Sequence, residues 1–459
     1  MKYDLAVIGG GPAGYSGALK AAKLGQKVVL FESDRVGGTC LNVGCIPTKC
    51  YVSQAETIEK IRRATENGIF KDAGQFSYKK IFEEKERVVK RLTNGVAGLL
   101  RAAGVTVVAG KVESCSGGRL TAGGKEYEAD SILIATGSKN FDLPIPGAKG
   151  SRVLDSTALL ALTKMPKSIV IIGAGVIGLE FACILNTFGS KVTAVDVLSS
   201  ILPNEDAECT GYLYESLKKR GIGFRLGAKV VSVGDENGQK CVKIEKDGAV
   251  ETIGAEYVLI GAGRAPANDV AKMIGVKMDG KGFVVTDDHM RTSVKNVYAA
   301  GDIAGGYLLA HAAYEEAETA VINAGGGDRT VDETVMPRCI FTSPSFAAAG
   351  LTEKQAAETH SIVTGKFPFA ANGKALAQGM EDGFVKWVAD KKDGRLLGCH
   401  IVGGDGAELI GAAVVALCKK AAIDDFEKMI FPHPTIGESM KEGALDCAGE
   451  ALHIPPHKR

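Results

Sequence analysis

The sequence predicts an α/β protein built from two dinucleotide-binding domains and a C-terminal α+β domain. Three observations carry this reading: a strand–turn–helix–strand–acid unit that occurs twice, a length of 459 residues, too great for one hydrophobic core, and a change of pattern after about Val335. The first unit is a strand over Asp4 to Ile8, the turn Gly9-Gly10-Gly11-Pro12-Ala13-Gly14, a helix to about Leu24, a strand over Lys27 to Phe31, and Glu32. The second is a strand over Ser168 to Ile172, the turn Gly173-Ala174-Gly175-Val176-Ile177-Gly178, a helix to about Phe188, a strand over Lys191 to Val195, and Asp196. In each turn the first glycine allows a tight bend, the second lets a pyrophosphate approach the backbone, and the third lets helix and strand pack closely. The helix N-terminus then offers unpaired N–H groups and the positive end of its dipole. An acid about 18 residues past the last glycine is placed for ribose hydroxyls. Two Rossmann-like units holding two dinucleotides are the expectation.

Between the units, Tyr78 to Ala103 predicts an amphipathic helix on its own domain, with Glu83-Glu84-Lys85-Glu86-Arg87 on the polar side and Ile81, Val88, Leu92, Val96 and Leu99 as the apolar stripe. Beyond Val335, strands such as Phe384 to Val388 and a Gly- and Ala-rich helix over Glu408 to Ala421 predict the α+β domain.

Composition narrows the function. With 55 Lys and Arg against 54 Asp and Glu, no strong positive field exists to draw nucleic acid or an anionic membrane. The longest apolar runs, Ile169 to Leu179 and Leu409 to Cys418, fall short of the roughly twenty residues of a membrane span. The chain runs straight into a strand with no room for a signal peptide, so a cytoplasmic location is expected. Cys50, Cys115, Cys183, Cys209, Cys241, Cys339, Cys399, Cys418 and Cys447 read as reduced core thiols. Cys40 and Cys45 differ. They lie in Gly37-Gly38-Thr39-Cys40-Leu41-Asn42-Val43-Gly44-Cys45-Ile46-Pro47-Thr48-Lys49, just beyond the first unit. Their spacing is wider than Cys-x-x-Cys, and no second cysteine pair or histidine cluster is near to complete a metal site, so no metal is expected. They read as a redox pair, with inert buried thiols as the alternative.

Together with Ala135-Thr136-Gly137, Gly263-Arg264-Ala265-Pro266, Tyr298-Ala299-Ala300-Gly301-Asp302 and His433-Pro434-Thr435-Ile436-Gly437-Glu438, this motif resembles the flavin-dependent pyridine nucleotide–disulfide oxidoreductases over essentially the whole chain. The resemblance implies FAD and NAD as cofactors. It also implies an FAD-binding domain in two parts (1–145 and 269–335), an NAD-binding domain (146–268), and a C-terminal interface domain (336–459) that makes a homodimer. Gly9, Gly11, Gly14 and Glu32 would hold the ADP half of FAD, with Thr39, Thr136 and Gly137 also at this cofactor and Asp302 on the ribityl chain. Lys49, paired with Glu180, would lie near the flavin N5, while Ala310 and His311 would turn backbone groups to the pyrimidine end, the His311 imidazole being structural. Gly173, Gly175, Gly178, Glu180, Asp196 and Gly263 would serve NAD.

The same resemblance implies a Cys40–Cys45 disulfide, with Cys40 as the exchange thiol and Cys45 facing the flavin. His433 would be the base, oriented by Glu438 and reaching across the two-fold axis. The implied activity is oxidation of protein-bound dihydrolipoyl groups to lipoyl with reduction of NAD+. The implied partner is a lipoyl-bearing protein, either an acyltransferase or a glycine cleavage H protein; reduction of a small-molecule disulfide by another FAD-dependent reductase is the alternative. Phe431-Pro432 stands where the family has His-Ala, Gly437 where it has serine, and Thr342-Ser343-Pro344-Ser345 where it has Thr-x-Pro-Glu. No Lys or Arg occurs from Val192 to Leu217, which favours NAD over a 2′-phosphorylated coenzyme.

Overall fold

A computed structural model describes residues 2–456; Met1 and residues 457–459, at the outer ends of the first and last expected domains, lie outside it. The first unit comprises β1 (Lys2–Ile8), α1 (Pro12–Lys23), β2 (Val28–Glu32), α2 (Gly38–Val43), α3 (Cys45–Glu66), α4 (Tyr78–Ala102), β3 (Thr106–Ala109), β4 (Val112–Ser116), β5 (Arg119–Ala122), β6 (Lys125–Ile134) and β7 (Ser138–Asn140). Its sheet runs β3-β2-β1-β6-β5-β4, with β1, β2, β3 and β6 mutually parallel. Because side chains alternate along a strand, Leu5 and Val7 join one core and Ala6 and Ile8 the other, so both faces of the sheet are covered.

The second unit follows with β8 (Val153–Leu154), α5 (Ser156–Leu160), β9 (Ser168–Ile172), α6 (Val176–Thr187), β10 (Lys191–Asp196), α7 (Ala207–Lys219), β11 (Gly223–Leu226), an antiparallel trio β12 (Lys229–Glu236), β13 (Gln239–Lys246) and β14 (Ala249–Ala255), and β15 (Tyr257–Ile260). Its sheet is the parallel order β11-β10-β9-β15-β8. Ile169 and Ile171 enter one core and Val170 and Ile172 another, repeating the arrangement of the first unit.

The chain then returns. β16 (Arg264–Pro266) pairs with β7, and after α8 (Asp269–Ile274) β17 (Val297–Ala299) extends the first sheet beside β6. The long helix α9 (Ala310–Ala324) packs along α1, where Lys20 meets Glu318 at 2.9 Å. The remainder is an antiparallel sheet, β18 (Arg338–Ile340), β19 (Phe346–Gly350), β20 (Ile362–Pro368), β21 (Gly383–Asp390) and β22 (Leu396–Gly403), ordered β18-β19-β22-β21-β20. It is joined by α10 (Glu353–Ala357), α11 (Gly373–Gln378), α12 (Gly406–Cys418), α13 (Ile423–Lys428) and α14 (Glu438–Asp446). Trp387 is fully buried here; its indole N–H donates to the Met440 carbonyl at 3.0 Å, and its ring meets Phe426 edge-on.

The repeat elements form within a residue or two of their expected ends. Two expectations are corrected. The buried stripe of α4 is Ile81, Lys85, Val89, Val96 and Leu100, whereas Leu92 and Leu99 are exposed and Val88 is only partly covered. The helix is rotated because Lys85 buries its stem and donates to the Leu160 carbonyl at 2.8 Å, with the ammonium over the Phe82 ring. Cys418 is exposed at the end of α12, and Cys50 and Cys339 are half-buried; the other six isolated cysteines are core thiols as expected. Besides Cys418, α12 turns Gly411, Ala412 and Val415 outward, so one chain leaves an apolar helix face uncovered.

Charge is also buried between the second unit and the antiparallel sheet. Lys386 and Asp206, each 2% exposed, lie 3.1 Å apart, and Lys386 also meets Glu353 at 2.6 Å and Glu208 at 3.1 Å. Such a group is tolerated because every charge has a partner.

Candidate active site

Both glycine turns have the form that their spacing predicts. A Cβ on Gly14 would meet the Gly9 carbonyl at 1.7 Å and one on Gly178 the Gly173 carbonyl at 1.9 Å, so only glycine allows helix and strand to approach there. By contrast, the space in front of Gly175 is open to 4 Å. Neither α1 nor α6 has a side-chain cap, which leaves the first-turn N–H groups and the positive dipole end for an anion. The two acids act alike. Glu32 accepts from Gly10 N–H at 2.7 Å and Asp34 N–H at 2.8 Å; Asp196 accepts from Ala174 N–H at 2.6 Å and Leu198 N–H at 2.9 Å. Each carboxylate braces its turn and keeps lone pairs for ribose hydroxyls. These cradles fit two dinucleotides.

The thiols lie against the first turn. Gly37 N–H donates to the Gly10 carbonyl at 2.7 Å, and Gly38 packs on Gly11 so closely that a Cβ on it would meet the Gly11 Cα at 2.6 Å. This docks α2, which carries Thr39 and Cys40, beside α1. Gly44 then separates α2 from α3, placing Cys45 on the first residue of α3. The interaction between the two thiols is the largest cause holding Cys45 down at about 7; burial and Glu180 oppose it and Lys49 assists. The same interaction, then burial, pushes Cys40 well up. As pH rises through about 7 the pair therefore takes on its first negative charge, on Cys45.

Lys49, one turn along α3, meets the Glu180 carboxylate at 2.8 and 2.7 Å. Glu180 comes from α6 of the second unit, is 5% exposed, and also accepts the Phe341 N–H at 3.0 Å; the Phe341 ring lies 4.2 Å from the Lys49 ammonium. Lys49 is thus fixed by two segments distant in sequence, α6 and the stretch around Phe341. Asp302 accepts from the Ser138 hydroxyl and lies 3.7 Å from the Arg264 guanidinium, which itself donates to Ser138 and Asn140. Thr136 donates to the Ala267 carbonyl at 2.8 Å, and Gly137, with φ at +68°, turns the chain after it. Gly263 accepts from Phe141 N–H. Ala310 opens α9, and the His311 ring is bonded to the Pro337 carbonyl at 2.8 Å, a structural use of the imidazole.

His433 and Glu438 are together but apart from the thiols. The His433 Nδ1 donates to Glu438 at 3.0 Å, and Glu438 also accepts Thr435 N–H at 2.9 Å. Although burial works against it, Thr435 and His433 hold the Glu438 carboxyl below its ordinary range. The His433 side chain is 80% exposed, leaving Nε2 free to act outward. No described hydrogen bond or ion pair connects it to Cys40 or Cys45 of the same chain. The Phe431 substitution has a packing role: its ring stacks on Phe426.

Sequence reading missed Phe341, Ser138 and a tyrosine pair between α1 and α9, Tyr15 and Tyr314, whose hydroxyls are 2.7 Å apart across 299 residues of chain. Separations of this size leave no local signal. Among the described residues no helix is long and apolar enough to cross a membrane.

Comparison with known proteins agrees with this geometry. Residues 3–317 match the family described as pyridine nucleotide-disulphide oxidoreductase, and residues 336–444 match its dimerisation domain. A dihydrolipoyl dehydrogenase of Bacillus subtilis is 39% identical over 98% of this chain and 99% of its own. Among solved structures, LpdA from Mycobacterium tuberculosis superposes with a TM-score of 0.89 at 27% identity, covering 96% of this chain and 99% of its own. The HOCl-induced flavoprotein disulfide reductase RclA from Escherichia coli superposes at 0.87 and 29%, covering 96% of this chain and 99% of its own.

Proposed function

The chain belongs to the pyridine nucleotide-disulphide oxidoreductase family, and on that premise we propose that it oxidises dihydrolipoyl groups to lipoyl while reducing NAD+ to NADH. The observation that carries this reading is the placement of Cys40 and Cys45 on two successive helices docked against the first glycine turn, with the Lys49–Glu180 pair one helical turn beyond Cys45. When bound, FAD supplies a carrier that takes an electron pair from the dithiol and delivers it as hydride to NAD+.

The residues divide the exchange among them. In the oxidised enzyme Cys40 and Cys45 are joined, and the Nε2 of His433 takes the proton from one substrate thiol. That thiolate attacks the Cys40 sulfur and breaks the bond to Cys45. The direction follows from leaving-group quality, because the sulfur whose thiol titrates lower departs more readily, and Cys45 is held at about 7. Lys49 stabilises the departing charge and is itself held in place by Glu180. The second substrate thiol attacks the substrate sulfur in the mixed disulfide and closes the lipoyl ring, and its proton passes to Cys40, which leaves as the second enzyme thiol. Glu438 keeps Nδ1–H in place and stabilises the imidazolium that forms. A base so placed contributes about a hundredfold or more.

Cys40, Cys45, His433 and Glu438 are the residues we assign to exchange. Gly9, Gly11, Gly14, Glu32, Thr39, Lys49, Thr136, Gly137, Asp302 and Ala310 are assigned to FAD, and Gly173, Gly175, Gly178, Asp196 and Gly263 to NAD. Glu180, expected at NAD, is assigned to Lys49, which already holds its carboxylate. The same reading takes 1–145 and 269–335 as one FAD-binding domain, 146–268 as the NAD-binding domain and 336–459 as the interface domain. The chain carries a dimerisation domain, and the uncovered face of α12 supports a homodimer. The physiological substrate is then a lipoyl group on a partner protein in the cytoplasm.

The test is NADH formation by the FAD-loaded enzyme from dihydrolipoamide, alongside NADH- and NADPH-dependent reduction of small disulfides such as glutathione disulfide. Turnover of a small disulfide with none of dihydrolipoamide would replace this reading by the alternative.

A further inference from the structure

Asp302 is assigned to the ribityl chain of FAD, and what holds it in place comes from outside its own segment. Its backbone is fixed from α9: Gly301, with φ at +77°, donates its N–H to Glu316 at 2.6 Å, and Glu316 is 5% exposed. Its side chain is fixed from the two crossings between the units, β7 outward and β16 on the return, which pair with each other. Arg264 of β16 donates from Nε to the Ser138 hydroxyl at 2.6 Å, from Nη1 to the Asn140 side-chain oxygen at 3.0 Å and from Nη2 to the Ser138 carbonyl at 2.8 Å. The Ser138 hydroxyl in turn donates to Asp302 Oδ2. We propose that Ser138 and Arg264 are positioning residues for the flavin, locking Asp302 by its Oδ2 so that Oδ1 is kept to accept from the ribityl hydroxyls.

The direction of each bond follows from the donor set. A guanidinium offers only N–H groups, so the Ser138 oxygen has to accept from Nε, and its one hydrogen is left for Asp302. Arg264 Nε itself lies 3.7 Å from Oδ2, too far for a hydrogen bond, so the cation acts through the hydroxyl, which it polarises into a stronger donor. Among the described residues Asp302 Oδ1 has no hydrogen-bond partner. A carboxylate held by one oxygen has little rotational freedom left to lose when the other binds a ligand. The three bonds of Arg264 also need its planar fork, which a lysine would not supply.

The inference rests on the assignment of Asp302 to FAD, and its test separates the two. Holoenzyme is diluted serially, and the Kd for FAD is read from the fluorescence of released flavin. Thermal unfolding is followed with FAD and without it. Asp302→Ala should weaken FAD binding most. Ser138→Ala should raise Kd about tenfold, Arg264→Lys should do the same although it keeps the charge, and Ser138→Thr, which keeps the hydroxyl, should stay within about twofold of wild type. In an Asp302→Ala background, Ser138→Ala should change Kd by less than about twofold, because Ser138 acts through that carboxylate. Ser138→Ala should leave the unfolding temperature of the flavin-free chain in place and reduce the rise that FAD brings. An unchanged Kd in Ser138→Ala, with both unfolding temperatures lowered alike, would make the pair a packing contact of the connectors and overturn the proposal while Asp302 keeps its assignment. An unchanged Kd in Asp302→Ala would overturn the assignment and the proposal together.

Discussion

Subunits carrying Cys45→Ser, unfolded and reassembled with subunits carrying His433→Ala, should recover about a quarter of wild-type activity. His433 is 80% exposed, its Nδ1 is committed to Glu438, and no described bond joins it to the thiols of its own chain. Its free Nε2 can therefore serve the thiols of a second subunit. Random pairing makes about half of the dimers mixed. In each mixed dimer one site combines both damaged groups and the other combines both intact ones, so about one site in four works. The parents set the background: without Cys45 no disulfide forms, and without the base the rate falls by about a hundredfold or more. The assay is NADH formation from dihydrolipoamide, with mixed dimers counted by native mass spectrometry using a size tag on one variant. If mixed dimers form in the expected proportion and activity stays at the parental level, His433 acts within its own chain and the divided site is wrong.

Other outcomes follow from the same geometry. Coenzyme choice should favour NADH over NADPH by at least about tenfold in kcat/KM, about 1.4 kcal/mol, because the residue we assign to the ribose is a carboxylate, Asp196, and the nearby Arg225 is held by Glu251 at 2.8 Å; comparable values would refute it. Since the Cys45 thiol is held at about 7, the thiolate is lost as pH falls through that value, and alkylation of Cys45 in the reduced enzyme should drop in step; a midpoint near the ordinary 8.5 would show that Cys40 and Lys49 do not stabilise it. With FAD bound, Cys40→Ser should retain long-wavelength absorbance from the Cys45 thiolate beside the flavin and Cys45→Ser should lack it; the reverse would exchange the roles of the two thiols. Lys386→Ala should cost about 3–5 kcal/mol by stranding Asp206, read in urea by the fluorescence of Trp387, the chain's single tryptophan; a loss under about 1 kcal/mol would mean that water reaches the cluster.

What the sequence by itself determined are features whose physics is local. The glycine turns, their flanking strands and helices, and the acids that close each unit are set by steric demands over some thirty residues, and both copies formed where the spacing put them. Cys40 and Cys45 were legible because five positions of chain, broken by Gly44, hold two thiols together whatever surrounds them. His433 and Glu438 share a single turn for the same reason. The buried face of α4 was not legible: a 3.6-residue period says that a stripe exists, but Lys85 could claim a place in it only because the Leu160 carbonyl was there to receive its ammonium. Nor was Cys418, whose exposure depends on what covers α12. Lys49 with Glu180 and Phe341, and Tyr15 with Tyr314, were decided only when separate elements packed. A hydrogen bond between side chains 131 or 299 residues apart leaves no periodicity to read, because its geometry is fixed by the packing of α3 against α6 and of α1 against α9.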